Sequence, residues 1–241
     1  MTNQRDVALI TGASRGLGFA LAQALARCGA KVAMVARDAG VLERAAAEIR
    51  REGGTVATIV DDVGDPAAAL RIAAQTHALV GAPTLVIHNA STLGAVPLVS
   101  LAETDPDAFA ATLATNVTGP FALTRALVGS MVLAGRGTIV HISSDAAVEA
   151  YPTWGAYGAS KAALDHLSRI WAAELAGTGV SVIAVDPGEM ATKMHADAVP
   201  DADPATLGDP NVVAARIVAL VRMGAVPSGA RVVAVNVEEA A

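Results

Sequence analysis

The chain has almost nothing with which to staple itself from outside a packed core. Its 241 residues include one cysteine, Cys28, so an internal disulfide is excluded. The neighbours Leu25, Ala26 and Ala30 make Cys28 an expected small buried hydrophobe rather than a reactive thiol. Aromatic residues are scarce, at 3% against 53% hydrophobic residues in all, so the core has to be built from alanine and aliphatic side chains. None of the five histidines stands at ligand spacing from another histidine, a cysteine or a carboxylate, so no metal is expected. There is no basic run and the net charge is −6, which excludes the cationic footprint of a nucleic-acid binder. Long apolar runs are missing too: Arg71 and Gln75 break residues 67–80, and Arg216 and Arg222 break 212–226, so no membrane span is expected. Residues 1–6 are polar and lead straight into an apolar run, which leaves no room for a signal peptide and makes a cytoplasmic location the expectation.

What is present is an alternation of two periods. Short β-branched or aliphatic runs at 7–11, 31–36, 55–60, 84–88, 138–142, 180–185 and 231–235 read as strands. Between them lie helical spacings such as Leu17, Leu21, Ala24, Leu25 and Leu42, Ala45, Ala46, Ile49, the second ending at Gly53-Gly54. The strands are almost continuously apolar, as a sheet buried on both faces requires. These features predict one α/β domain over residues 1–241, a doubly wound, Rossmann-like parallel sheet of seven strands with helices on both faces. Residues 189–211, rich in Asp, Pro and Ala, are expected to form a mobile substrate loop. In such a fold ligands gather beyond the carboxyl ends of the strands.

There, after the first strand, stands Thr11-Gly12-Ala13-Ser14-Arg15-Gly16-Leu17-Gly18, with a helix following. Gly12, Gly16 and Gly18 permit a tight turn and close approach to a pyrophosphate, while Ser14, Arg15 and Leu17 bring backbone N–H groups and the positive end of the helix to it. After the second strand an NAD site would carry an acidic residue for the ribose hydroxyls, but Ala36-Arg37 occupies that place. Arg37 and Arg15 together suit a 2′-phosphate, which favours NADP(H) and leaves NAD(H) second. Asp38 fits an N-cap of the helix at 39–49 better than a ribose ligand. Asp62-Val63, after the third strand, either meets the adenine amino group or forms a turn with Asp61 and Asp65; Asn89-Ala90, after the fourth, is equally open.

Tyr157 and Lys161 are four residues apart in a segment of helical pattern, so they share a face. An ammonium beside a phenol, whose ordinary pKa is roughly 10, favours the phenolate and brings proton exchange with a substrate hydroxyl within reach. Ser144, just past the fifth strand, is placed to stabilise charge on a substrate oxygen, with Ser143 its rival by position.

In order along the chain, residues 11–18, Asp62-Val63, Asn89-Ala90, Asn116, Ser144, Tyr157-Gly158-Ala159-Ser160-Lys161 and Pro187-Gly188 resemble the pattern of the compact short-chain dehydrogenases/reductases, over nearly the whole chain. The resemblance implies Tyr157 as general acid/base and Lys161 as a ligand of the nicotinamide ribose that lowers the tyrosine pKa. It implies Ser144, rather than Ser143, as the residue that polarises the substrate, and Asn116 as the holder of a relay water. Thr192 would contact the carboxamide, with Pro187, Gly188 and Met190 also against the cofactor. Two positions depart from the pattern. His88 stands for an Asn and is expected to alter a contact in the central sheet; Ser91 stands for a Gly and is expected to narrow the room beside the nicotinamide. Residues 231–241 also lack the Asp-Gly-Gly ending of many members.

The expected activity is NADP(H)-dependent hydride transfer to or from a small to medium, mostly apolar ketone, aldehyde or secondary alcohol. The pocket is expected to draw on residues 91–93, Asp145, Ala146, Trp154, Glu189, Met190, Met194 and His195. For the methionines the plainer expectation is ordinary loop packing, and for His195 a solvated loop position. The helices at 109–133 and 155–175 resemble the family's dimer interface, implying a homodimer or homotetramer. Two rival activities are a dinucleotide-sensing regulator without catalysis and an epimerase or dehydratase that does not consume the nucleotide.

Overall fold

The computed structural model describes residues 6–224 and 226–234. Seven strands form one sheet: β1 (Val7–Thr11), β2 (Lys31–Ala36), β3 (Thr55–Val60), β4 (Leu85–His88), β5 (Gly137–Ile142), β6 (Val180–Asp186) and β7 (Arg231–Val233). They run parallel in the order β3-β2-β1-β4-β5-β6-β7. The expected strands are met to within a residue, apart from the last, where Val235 and the chain end beyond it lie outside the described residues. The helices are α1 (Gly16–Arg27), α2 (Ala39–Arg51), α3 (Ala68–Leu79), α4 (Pro106–Leu113), α5 (Gly119–Ala134), α6 (Gly155–Glu174), α7 (Lys193–Ala198) and α8 (Pro210–Met223).

Strand side chains alternate between faces, so an unbroken apolar strand feeds two cores. Ala8 and Ile10 of β1 pack beneath α1, α2 and α8 with Leu21, Leu42 and Ile217. Val7 and Leu9 turn the other way, toward Ile72 of α3, Leu123 and Leu127 of α5 and Ala172 of α6.

Three expectations change. Cys28 is exposed: it caps the end of α1 between exposed Arg27 and Gly29, while Leu25, Ala26 and Ala30 take the inward positions. Pro106–Ala134 forms a helical stretch long and apolar enough, by length and composition, to cross a membrane. Here it packs on the sheet through Leu123, Leu127 and Met131, and it is interrupted at Ala114–Thr118 by a π-helical turn. Pro120 has no N–H for the Asn116 carbonyl four residues back, which loosens the α-ladder at that point. Finally, residues 189–211 are not a plain loop. They hold α7 and a 3₁₀ turn at Pro204–Thr206, and Ala191 and Gly208 close the neck by backbone hydrogen bonds of 3.0 Å each, to Gly208 and Glu189.

His88 and His141 are register partners on β4 and β5, and their rings stack with centroids 4.9 Å apart. His88 Nε2 meets Thr124 Oγ1 at 2.8 Å and His141 Nδ1 meets Ser168 Oγ at 2.7 Å. Burial drives the His88 pKa down to about 3. Burial drives His141 well below its ordinary value too, with His88 and Lys161 adding to the fall. The unfolded His88 protonates below its ordinary 6.5, whereas the folded ring stays neutral. Stability is therefore full above that pH and is lost as pH falls toward 3. His88 alone should remove about 2 kcal/mol by pH 5. Urea unfolding at pH 7 and pH 5 should show a smaller loss in His88→Asn; an equal loss would mean that His88 contributes no such dependence.

Candidate active site

The strand order reverses between β1 and β4, so the chains leaving their carboxyl ends part and open a crevice. Thr11 Oγ1 accepts the N–H groups of Asn89 and Ala90 at 3.1 and 3.0 Å. Asn89 Nδ2 donates to the carbonyls of Thr11 and Gly12 at 3.0 and 3.2 Å. Asn89-Ala90 thereby clasp the two strand ends and shape the glycine turn. Gly12 takes φ +67°, and a Cβ on Gly18 would collide with the Gly12 carbonyl and the Asn89 amide. Arg15 is the N-cap of α1 but its side chain does not cap, and the first turn carries no acidic residue. The first N–H groups and the positive end of a twelve-residue helix therefore remain for an anion. This cradle fits a diphosphate.

The crevice widens into a cleft of about 940 Å³, and every residue expected on the cofactor lines it, from Gly12 to Thr192. Arg15 and Arg37 are exposed at its rim. Arg37 Nη1 lies 3.7 Å from Asp62 Oδ2, a loose pair that holds the guanidinium beside the end of β3. Asp62 Oδ1 accepts the Gly64 N–H at 2.9 Å. Asp38 is committed as the cap of α2, accepting from Val41 N at 2.9 Å, so the basic character of this end rests with the arginines.

Tyr157 and Lys161 sit one turn apart on the buried face of α6, with Lys161 Nζ 5.4 Å from the Tyr157 ring centroid. Lys161 Nζ donates to the Ile142 carbonyl at 2.7 Å. Ser144 follows β5 and caps the short turn Asp145–Ala147; its Oγ donates to Asp145 Oδ1 at 2.8 Å and accepts the Ala146 N–H at 3.2 Å. Ser144 and Ser91 are the hydroxyls that act on the Tyr157 phenol, favouring its ionised form, whereas the Ser143 hydroxyl donates to the Ser144 carbonyl at 3.5 Å. This separates the two serines.

The electrostatics correct the expectation for the phenol. Burial pushes Tyr157 up to about 12, against the pull of the Ser144 and Ser91 hydroxyls and with help from Asp145 and Asp186. Burial pulls Lys161 down to about 8, opposed by Asp165 and Asp186. Both groups are cut off from water, and the desolvation of each charged form outweighs their proximity.

Asn116 does not line the cleft. Its side chain is saturated: Oδ1 accepts from Thr92 N at 2.8 Å and Ser91 Oγ at 3.1 Å, and Nδ2 donates to the Thr92 carbonyl at 2.8 Å and Ser160 Oγ at 2.9 Å. A relay water at this residue would have to use the backbone carbonyl that Pro120 leaves without its α-helical donor.

At the other end of the cleft, Leu93, Ala146 and Tyr157 pack with Leu98, Trp154, Met194 and Ala198. Ala146 lies behind the wall rather than in it. His195 is not a solvated loop residue: its side chain is 12% exposed, lines the cleft, and stands 3.6 Å from Glu189 Oε1. The turn of α7 after its Thr192 cap carries it inward. Sequence reasoning missed Tyr151, whose hydroxyl donates to Asp145 Oδ2 at 2.9 Å. It also missed Ser160, which joins Asn116 to the Tyr157 carbonyl at 2.6 Å. The only signal for Ser160 was its place one residue before Lys161.

The profile of the short chain dehydrogenase family matches residues 6–203. A short chain dehydrogenase of Pseudocercospora fijiensis is 35% identical over 80% of this chain, which spans 62% of that protein's length. The 2-(S)-hydroxypropyl-CoM dehydrogenase 3 of Xanthobacter autotrophicus is 38% identical over 77% of this chain and 71% of its own. Among solved structures, a short chain dehydrogenase of Shigella flexneri complexed with NADP superposes with a TM-score of 0.86 at 28% identity, covering 95% of this chain and 96% of its own.

Replacing Gly18 by Ala should weaken nicotinamide-dinucleotide binding about tenfold or more, because either the turn or the Asn89 clasp must move. Nicotinamide fluorescence titration reads this directly, and affinity equal to that of the unmodified protein would dismiss the cradle.

Proposed function

The chain belongs to the short-chain dehydrogenase/reductase family, and on that premise we propose that it is an NADP(H)-dependent oxidoreductase interconverting a small to medium, mostly apolar ketone or aldehyde with its alcohol. One observation carries this reading: Tyr157, with Ser144 acting on its phenol, lies where the glycine cradle meets an apolar pocket. A bound nicotinamide would supply or accept the hydride. Tyr157 exchanges the proton with the substrate oxygen, and Ser144 orients that oxygen. Lys161, fixed on the Ile142 carbonyl, keeps further N–H groups that would hold the ribose of a bound nicotinamide nucleotide. Leu93, Trp154 and Met194 exclude water from the reacting carbon.

A phenol that holds its proton to about 12 is ready to give it during reduction. Oxidation needs the same group without its proton, so oxidation should speed up as pH rises through the neutral range. The choice of NADP(H) rests on Arg15 and Arg37, on the removal of Asp38 to a cap, and on the NADP held by the Shigella flexneri relative. The exposed Phe121 and Leu133 of α5 and Ile170 of α6 suit contact with a second copy, and the intended setting is a cytoplasmic homo-oligomer.

Titration with NADPH and NADH should give tighter NADPH binding, with the difference lost in Arg37→Ala; a preference for NADH would overturn the cofactor assignment. With any carbonyl substrate that the protein turns over, Tyr157→Phe should lower kcat by about a hundredfold or more. Intact turnover would remove Tyr157 from the chemistry.

A further inference from the structure

Beneath the proposed acid–base pair lies a cluster that the reaction does not by itself require. Arg231 begins β7, paired with Ala184 at the sheet edge, and its side chain runs toward the carboxyl end of the sheet. Its Nε donates to Asp165 Oδ2 at 3.0 Å, and its Nη2 to Asp186 Oδ2 and to the Ser144 carbonyl at 2.9 Å each. Asp186 Oδ1 accepts the Gly188 N–H at 2.9 Å, so the same carboxylate holds the Pro187-Gly188 turn. The side chains of Asp165 and Asp186 are 4% and 6% exposed, against 25% for Arg231.

We infer that Arg231, clamped between Asp165 and Asp186, is a positioning residue that fixes the Ser144 turn and tunes the electrostatic field at Lys161. The inference rests on the acid–base reading of Tyr157 and Lys161 above. A plain strap between β7 and its neighbours would be satisfied by one carboxylate. Two are present, and the second faces another cation: Asp165 stands one helical turn from Lys161 on α6, and both carboxylates act on that ammonium. Lys161 and Arg231 thus balance Asp165 and Asp186 in one water-poor space.

The other groups facing Lys161 are Tyr157 on its own helix and His141 on β5, the second held neutral by burial. The Ser143 hydroxyl favours the ionised form of Asp165 against its burial, and Asp165 Oδ1 is buried with no hydrogen-bond partner among the described residues. Arg231 screens the two carboxylates from Lys161. Removing it strengthens their hold on the ammonium, whereas removing Asp165 weakens it. The two changes, made at residues in direct contact, should therefore move Lys161 in opposite directions, which loss of a mechanical strap would not do.

The chain has three lysines, Lys31, Lys161 and Lys193, so ε-¹³C-lysine labelling of the whole protein yields three signals, and Lys161→Met assigns the one required. Arg231→Gln should raise the Lys161 titration midpoint and Asp165→Asn should lower it, each by about half a pH unit or more, with Arg231→Lys close to the unmodified protein. Shifts of the same sign, or no shift in either variant, overturn the inference. If Arg231→Gln does not fold, Asp165→Asn and Arg231→Lys decide: a fall in the first with no change in the second supports it, and any other pairing overturns it. The NMR readout needs no substrate. Failure of the unmodified protein to bind NADPH would overturn the oxidoreductase reading, and with it the catalytic meaning of this cluster, even where the lysine shifts appear.

Discussion

Everything in the cleft depends on how β1 and β4 are joined where their chains diverge. The Thr11 hydroxyl takes two backbone N–H groups from the end of β4, and the Asn89 amide returns two donors to the carbonyls at the end of β1. A parallel sheet leaves unpaired backbone groups at a switch point, and burying them without partners would cost more than the opening gains. Once they are closed side chain to backbone, Gly12 can hold its left-handed turn and α1 can begin with its N–H groups aimed into the crevice. Gly12 and Gly18 suit this place because a Cβ on either would occupy the space that the clasp uses.

From that opening inward, the dominant influence is the loss of water. Tyr157, Lys161, His88 and His141 are all pushed toward their neutral forms by burial. The two histidines solve the problem by staying neutral and bonding to Thr124 and Ser168. Lys161 solves it with a carbonyl and two carboxylates nearby. The carboxylates in turn are held by Arg231. One chain of compensation therefore runs from the last described strand to the phenol that handles the proton.

The elements that could be read early are those whose signal is local. Strand limits came from runs of branched apolar residues, the α2 cap from Asp38, and the cradle from three glycines in the first turn. Cys28 misled because three apolar neighbours do not say which way a helix end faces. His195 is unexpected because a polar residue in a segment rich in Asp, Pro and Ala suggests exposure, whereas the turn of α7 brings it into the cleft; the same composition does not reveal α7 itself. For Asn116 the place in the motif is legible in the sequence, but the engagement of its side chain with Thr92, Ser91 and Ser160 is not.

By itself the sequence determined the seven-stranded alternation, the glycine cradle, the arginines at its rim and the Tyr157–Lys161 spacing, because each is a matter of period or of neighbours within one or two turns. Only the tertiary structure decided how Ser143 and Ser144 divide their contacts, that burial rather than the nearby ammonium governs the phenol, and that Arg231, 66 residues beyond Asp165, closes the cluster beneath it. Those outcomes depend on which groups from distant segments lose their water together, and no local pattern records that.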